Sequence, residues 1–305
     1  MRRGVLVIGN GFDLDLGLKT SFNDIFNGWD PNLDVKISSL YDLVCGETGN
    51  QWNLLEDNIR SLYPDAISSF GPITSDMDEK CHQEMIFKIT SYLKEMDKSV
   101  NNQSYAYKLI HSIHQNNKFS IYSFNYTDSV ERFIDQDVCH VHGKIEDNSV
   151  ILGTEDNENA DRKLCFLQKS FSPFYKSNDL KYALNNSDTV IFFGHSLGKA
   201  DYLYFQEFFK KQSEDGLSEK SRKKIVIITY DEESRRDIIF QLFSMNNNRL
   251  DLFYQQNDFE VILTCKEDFL HEKYERRFAE LLSYLKENSV SNDQTKLANL
   301  ATSFR

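Results

Sequence analysis

The sequence GVLVIGNGFD, residues 4–13, sets the architecture of this chain. Its apolar run, residues 4–9, ends at a glycine, which is typical of a strand buried on both faces of a parallel sheet. The glycines at positions 9 and 11 allow the backbone to approach a phosphate, and the helix that follows offers free amides. Because Leu14 stands where the dinucleotide fingerprint has its third glycine, a tight strand-to-helix turn is the alternative interpretation.

Further apolar runs alternate mostly with amphipathic helical patterns. Strands are predicted at residues 119–124, 137–142, 149–153, 188–194, 223–230 and 258–264, and helices at 104–115, 202–212, 232–245 and 266–286. This alternation predicts an α/β fold with a doubly wound, mainly parallel, Rossmann-like sheet. Apolar residues at three-to-four spacing predict a helical insertion at about 20–115. We therefore expect one α/β domain over residues 1–287 and a C-terminal polar tail, residues 288–305, with room for one more helix.

Length, charge and cysteine content indicate which classes of protein this chain can belong to. The chain has 305 residues, enough for a full α/β core. Its net charge of −12 disfavours direct binding to nucleic acid or anionic lipid. The five cysteines contain no CxxC pair, so we expect reduced thiols, no metal site and a cytoplasmic location. We also expect a soluble, unexported protein, since neither a signal-peptide core nor a membrane-length apolar segment is present.

Four polar clusters each follow an apolar run. They are GNGFD at 9–13, SFNYTD at 123–128, HVHGK at 140–144 and FGHSLGKAD at 193–201. The carboxyl ends of parallel strands line one edge of a sheet, where the topology leaves a crevice for a ligand. We therefore expect these distant segments to form a single site.

The second and third clusters supply the chemistry. The amide of Asn125 can both donate to and accept from a ribose hydroxyl or a water, although an Asx-type turn closing the strand is an alternative. His142 ends a predicted strand, and its imidazole can act as a general base near neutral pH. His140 is predicted to be structural. An asparagine and a histidine on successive strand ends together indicate a catalytic pair.

The fourth cluster contains GHSLG, which matches the GxSxG nucleophile elbow of serine hydrolases around Ser196. A triad needs a later histidine, but only His271 follows, in a helical segment rather than after a strand. A serine hydrolase is therefore an alternative function. We instead predict that Ser196 binds a phosphate or a ribose and that Asp201 caps the next helix. Thr20 or Ser21 is predicted to cap an earlier helix.

With these motifs the chain resembles the bacteriophage abortive-infection AbiH family. GNGFDLDLGLKTSFNDIF, QWNLLED, FNYTD with HVHGK, and GHSLGKADYLYFQEFF occur in that family's order from residue 4 to about residue 210. That family is in turn similar to sirtuin-like NAD-hydrolysing defence domains, in which a strand-end asparagine and the histidine of an HG motif act. The resemblance implies catalytic roles for Asn125 and His142, and nucleotide binding by Gly9, Asn10, Gly11, Asp13, Gly194, His195, Ser196 and Asp201.

The resemblance further implies an anti-phage effector that hydrolyses the N-glycosidic bond of NAD, or of a related nucleotide, without a metal. It implies a partner defence protein or a phage-derived trigger, and a homo-oligomer. Protein deacetylation is not expected, because the chain lacks a four-cysteine zinc ribbon. Asp13 would repel a pyrophosphate, so we place it near a sugar, and Glu56 in QWNLLED is a third candidate near the cleft. A non-catalytic nucleotide sensor that regulates a partner is the alternative.

Overall fold

One parallel sheet of six strands is the centre of the fold in the computed structural model, which describes residues 4–36, 38–45, 52, 55, 59, 75–114, 118–156 and 162–303. Its order is β3-β2-β1-β4-β5-β6, and every neighbouring pair is parallel. This is the doubly wound order, which reverses between β1 and β4. The predicted fold class is confirmed. The strands are β1 Gly4–Ile8, β2 Phe119–Ser123, β3 Val138–His140, β4 Thr189–Phe193, β5 Lys224–Thr229 and β6 Asp258–Leu263.

The sheet register places the polar clusters side by side. Strands β1 and β4 are buried along their whole length, as expected of parallel strands covered on both faces. Ile8, the last residue of β1, lies beside Ser123 of β2 and Phe193 of β4. The residues that follow these three positions therefore leave the sheet at the same edge.

Helices cover the sheet and build the insertion. The predicted helices at 104–115, 202–212 and 232–245 are confirmed to within about two residues. The last helix begins at His271, later than predicted, and continues through most of the predicted polar tail. The helices are α1 Asn10–Asp15, α2 Phe22–Phe26, α3 Leu33–Lys36, α4 Ser39–Cys45, α5 Ser75–Glu95, α6 Tyr105–His114, α7 Leu180–Asn186, α8 Tyr202–Lys211, α9 Glu232–Met245, α10 Leu250–Gln256 and α11 His271–Ser303. None of them, as far as the structure describes them, is long and apolar enough to cross a bilayer.

A second hydrophobic core lies in the helical region, separate from the core around the sheet. Helices α2 to α5 bury side chains there, such as Ile25 and Met85. The run at 149–153, predicted to be a strand, contributes Val150 and Leu152 to this core instead and joins no sheet. Its Ile151 amide donates to the His142 carbonyl over 2.9 Å, so this backbone donor has a partner without a neighbouring strand. That strand prediction is wrong.

Candidate functional site

A cavity of about 360 Å³ lies at the carboxyl edge, where the strand order reverses between β1 and β4. Its volume is within the usual range for small-molecule sites, roughly 300–1,000 Å³. The structure brings all ten site residues predicted from sequence to the wall of this cavity. They are Gly9, Asn10, Gly11, Asp13, Asn125, His142, Gly194, His195, Ser196 and Asp201.

The glycines at this edge allow two loops to pack against each other. A Cβ at Gly9 would lie 2.8 Å from the Gly194 carbonyl oxygen, and one at Gly11 would lie 2.6 Å from the Gly194 Cα. The Gly11 amide donates to the Gly194 carbonyl over 3.0 Å, and the Phe12 amide donates to the Gly9 carbonyl over 2.9 Å. The expectation of free amides for a phosphate is therefore wrong for these two groups. The glycines provide close backbone contact, as the turn interpretation predicts.

The Asn10 side chain is held by the helical insertion. Its Oδ1 accepts a hydrogen bond of 2.7 Å from the Thr20 hydroxyl, and the Thr20 carbonyl accepts one of 3.1 Å from the Trp52 indole. Thr20 therefore does not cap a helix. Ser21 does so, in a reciprocal capping box with Asp24 at the start of α2. This chain of bonds fixes Asn10 at the wall of the cavity.

Asp13 joins the first loop to the loop after β2. The buried carboxylate accepts hydrogen bonds from the hydroxyls of Thr127, over 2.5 Å, and Ser129, over 2.6 Å. Burial raises the pKa of Asp13, and the bonds from Ser129 and Thr127 oppose that rise. Both carboxylate oxygens are thus engaged within the protein, which favours a structural role for Asp13 over the predicted contact with a sugar.

Asn125 ties the same two loops together. Its side-chain Nδ2 donates to the Gly9 carbonyl over 3.0 Å. His140 supports it from behind, with Nδ1 3.2 Å from the Asn125 carbonyl and Nε2 2.7 Å from Glu131 Oε1. The structural role predicted for His140 is confirmed. Asn125 is 6% exposed, so it offers the cavity only a small, fixed polar surface.

A buried cluster of charged and titratable groups surrounds Asp201. One carboxylate oxygen lies 3.2 Å from His142 Nε2 and 3.0 Å from Lys169 Nζ, and the other lies 3.5 Å from His195 Nε2. Asp201 immediately precedes Tyr202, the first residue of α8, but makes no side-chain capping bond, so the predicted cap is wrong. The nearby positive charge and imidazoles bind the carboxylate instead. Lys169 was missed by the sequence analysis, because it lies in a short 3₁₀ turn outside any motif.

The cluster fixes the charge of its members. Burial lowers the pKa of His142, and the charge of Lys169 lowers it further, although Asp201 opposes both. Burial raises the pKa of Asp201, but Lys169 and His142 outweigh this and hold it well below its usual range. At neutral pH an ionised Asp201 therefore faces a neutral His142, which can accept a proton.

His195 has a defined tautomer. Its Nδ1 accepts a hydrogen bond of 2.9 Å from the Leu197 amide, so the proton of the neutral ring is on Nε2, which faces Asp201. The Phe124 ring meets both imidazoles edge-on, with centroids 5.0 Å from His142 and 4.4 Å from His195. This ring, also missed from sequence, keeps the imidazoles in an apolar contact on one side.

The helical insertion supplies an apolar wall that the sequence analysis did not predict. The four residues that form this wall are apolar, and their sequence pattern indicates only an ordinary helical core. They are Phe22, Ile25, Trp52 and Leu93. The cavity is therefore polar on the side of the strand ends and apolar on the side of the insertion. Glu56 lies outside the described residues.

A second cavity, of about 920 Å³, continues past the carboxyl ends of β4, β5 and β6. Both cavities share Gly11, Leu14 and the segment 194–196. Ser196 is exposed and lines the two of them. An elongated ligand can therefore extend from one cavity to the other over Ser196.

The geometry around Ser196 differs from that of a serine hydrolase. The left-handed backbone positions are Gly194, with φ of 64°, and Leu197, with φ of 54°, rather than the serine itself. His271 lies in α11, with Nε2 3.8 Å from Glu275, and lines neither cavity. The elbow and the triad that this alternative requires therefore find no support. No group of His, Cys, Asp and Glu side chains in the described part of the chain has the arrangement of a metal site.

Residues 5–220 match the protein family described as "Bacteriophage abortive infection AbiH". None of the curated proteins matches the chain. Among solved structures, the chain is similar to a Sir2 homologue in complex with NAD, with a TM-score of 0.37 and 12% identity, covering 93% of this chain and 89% of that chain. It is also similar to a mutant Sir2 homologue in complex with 2′-O-acetyl ADP ribose, with a TM-score of 0.37 and 13% identity, covering 92% of this chain and 93% of that chain. These likenesses are too distant to define the site.

Proposed function

Since the chain belongs to the bacteriophage abortive infection AbiH family, whose match covers residues 5–220, we propose that it is an anti-phage effector that hydrolyses NAD or a related nucleotide. The observation that carries the proposal is the meeting of Asn125 and His142 in one cavity at the topological switch point. In this proposal Asn125 and His142 are catalytic, and Asn10 and Ser196 on the cavity wall bind the nucleotide.

The proposed step breaks the bond between the ribose C1′ and the nicotinamide nitrogen. The electron pair of that bond returns to the nicotinamide ring, which leaves as a neutral molecule. A water oxygen bonds to C1′, and its proton passes to the neutral His142, so the products are nicotinamide, ADP-ribose and a proton. General-base catalysis of this kind contributes typically ~10²–10⁴-fold. Asn125 is proposed to hold the water or a ribose hydroxyl.

The two cavities suit a dinucleotide. Together they follow the carboxyl ends of the strands on both sides of the switch point, and they meet at Ser196. We propose that the reacting ribose lies in the smaller cavity, beside His142, and that the rest of the nucleotide extends into the larger one. In this arrangement Ser196 contacts a phosphate or a ribose hydroxyl. The same proposal includes a homo-oligomer and activation by a partner defence protein or a phage-derived trigger.

The test is mass spectrometry of the purified protein incubated separately with NAD, NADP, ATP and ADP-ribose. We expect release of nicotinamide from NAD or NADP, and its loss in His142→Gln and in Asn125→Ala. His114→Gln, which changes an exposed histidine on α6, is the matched control and should retain activity. Binding without turnover would instead support a nucleotide sensor, and neither binding nor turnover would contradict both functions.

A further inference from the structure

Four ionisable side chains are buried together beside the cavity, although only one of them, His142, takes part in the proposed step. Lys169 is 4% exposed, Asp201 7%, His142 5% and His195 4%. Burying charge costs free energy unless the charges pair, and lysine is almost never buried without a partner. The Lys169 ammonium also lies 3.5 Å from the Ala200 carbonyl, so it is fixed to the segment that carries Asp201. The ammonium and the carboxylate therefore behave as one unit.

The contacts of this unit converge on His142. Asp201 Oδ1 is shared between Lys169 Nζ and His142 Nε2, while Oδ2 faces His195. The charges of Lys169 and the ionised Asp201 cancel beside the neutral His142. Removing either charged partner would leave an unbalanced charge next to His142, and the sign of that charge depends on which partner is lost.

We propose that Lys169 and Asp201 are positioning residues: Asp201 orients the His142 imidazole, and Lys169 keeps that imidazole in the neutral state that the proposed hydrolysis needs. This inference rests on the proposed function for its consequence in catalysis, and on the contacts above for its physical basis. Asp201 fixes the ring by facing Nε2, and Lys169 cancels the field of that carboxylate. His195 holds the second carboxylate oxygen, so the carboxylate keeps a single orientation.

Among the residues that the structure describes, few other titratable groups lie near His142. Tyr204 of α8 has its ring centroid 6.4 Å from that of His142, and burial raises the pKa of its phenol, which is therefore uncharged. Phe124 contributes an apolar ring at the end of β2. Within the described part of the chain, the ionised groups facing His142 are thus Asp201 and Lys169, with His195 as the second imidazole.

The proposal predicts shifts of opposite sign in two variants. In Lys169→Met the unbalanced carboxylate favours the imidazolium, so the pKa of His142 rises. In Asp201→Asn the unbalanced ammonium disfavours the imidazolium, so the pKa of His142 falls. A purely structural role for the pair would shift both variants alike or shift neither. Lys169→Arg keeps the charge and should return the titration toward that of the wild type.

The measurement is an NMR titration of the imidazole Cε1–H groups in the full-length protein, with the His142 signal assigned from its loss in His142→Gln. The chain has seven histidines, so the signals are separable. Lys223→Met is the matched control, because Lys223 is also buried but donates to the Asn185 carbonyl at the opposite edge of the sheet. It should leave the His142 titration unchanged. Circular dichroism establishes that each variant is folded.

A second readout is the pH profile of nicotinamide release. In Lys169→Met the activity should be lost at neutral pH and recovered at higher pH, where His142 is neutral again. Unchanged His142 titration in both variants, or shifts of the same sign, would overturn the inference even if the wild type hydrolyses NAD. Conversely, if the pKa of His142 shifts in opposite directions in the two variants but the protein cleaves no nucleotide, the electrostatic role of Lys169 and Asp201 stands and the proposed hydrolysis is wrong.

Discussion

Replacing Asp13 tests how strongly the first loop is joined to the loop after β2. The carboxylate accepts two hydroxyl hydrogen bonds, from Thr127 and Ser129, and both are buried. Hydrogen bonds to a charged group are worth about 1.5–3 kcal/mol each, and the cost of burying the charge offsets part of this sum. We expect Asp13→Ala to lower the free energy of unfolding by about 2–4 kcal/mol, and Asp13→Asn, which keeps the shape and one acceptor, by about 1–2 kcal/mol.

Urea unfolding followed by tryptophan fluorescence measures this effect, with an unchanged m value as the sign that only stability has altered. Asp215→Asn is the control, because Asp215 is an exposed acid paired with Arg249. Such a change should stay within about 0.5 kcal/mol of the wild type. If Asp13→Ala unfolds no more easily than this control, the two buried bonds do not stabilise the junction between the loops.

The same residue gives a pH dependence with a defined sign. Burial raises the pKa of Asp13 in the folded chain above its ordinary value of 3.8. Between these two pKa values the folded chain binds the proton more readily than the unfolded chain, so this group's contribution to stability falls as the pH rises. The stability advantage of the wild type over Asp13→Asn should therefore grow as the pH is lowered from neutral toward the ordinary aspartate value of 3.8. A shrinking advantage would contradict burial as the dominant cause.

Three further predictions concern the loops and the site. Gly194→Ala should lower the free energy of unfolding by about 2 kcal/mol or more, because φ is 64° and the new Cβ would lie 2.3 Å from the Phe12 amide nitrogen. Gly216→Ala, with φ of 75° but open space around it, should cost only about 1 kcal/mol, and equal melting temperatures for the two variants would contradict the packing explanation. Ser196→Ala should weaken nucleotide binding, measured by calorimetry, by about 0.5–1.5 kcal/mol and should retain turnover. Complete loss of turnover would instead support the serine hydrolase function. The acidic limb of the wild-type pH–rate profile should lie below the ordinary histidine value of 6.5, because burial lowers the pKa of His142, and a limb above that value would contradict His142 as the base.

The sequence was enough to predict where the site lies but not which groups are engaged there. The apolar run ending at Gly9 marks a buried parallel strand, and the geometry of such a sheet brings the strand ends to one edge. That rule required no knowledge of side-chain contacts. In contrast, the partners of Asp201 depend on Lys169, some thirty positions away in a segment without periodicity, so a local capping rule gave the wrong partner. Tertiary contacts decided that case.

Short apolar runs show the same limit. The run at 149–153 has the composition of a strand, but periodicity does not distinguish a strand from a segment buried against helices. Val150 and Leu152 are buried in the second core, most of whose other members lie in the distant helical insertion. The local sequence at 149–153 therefore does not predict these contacts. Similarly, Thr20 and Ser21 are both candidate caps by residue type. The Thr20 hydroxyl bonds to Asn10, and Ser21 caps the helix in its reciprocal bonds with Asp24.

The interlocked glycines restrict how this protein can acquire a preference for another nucleotide. A Cβ at Gly9, Gly11 or Gly194 would clash with the backbone of the opposite loop. None of these positions can therefore carry a side chain that contacts a ligand. Variation must fall on positions whose side chains already reach open space. Leu14, which is 44% exposed, and the exposed Ser196 line both cavities and meet that condition. Substitutions that exchange one nucleotide for another should therefore concentrate at these two positions while the glycine framework stays fixed.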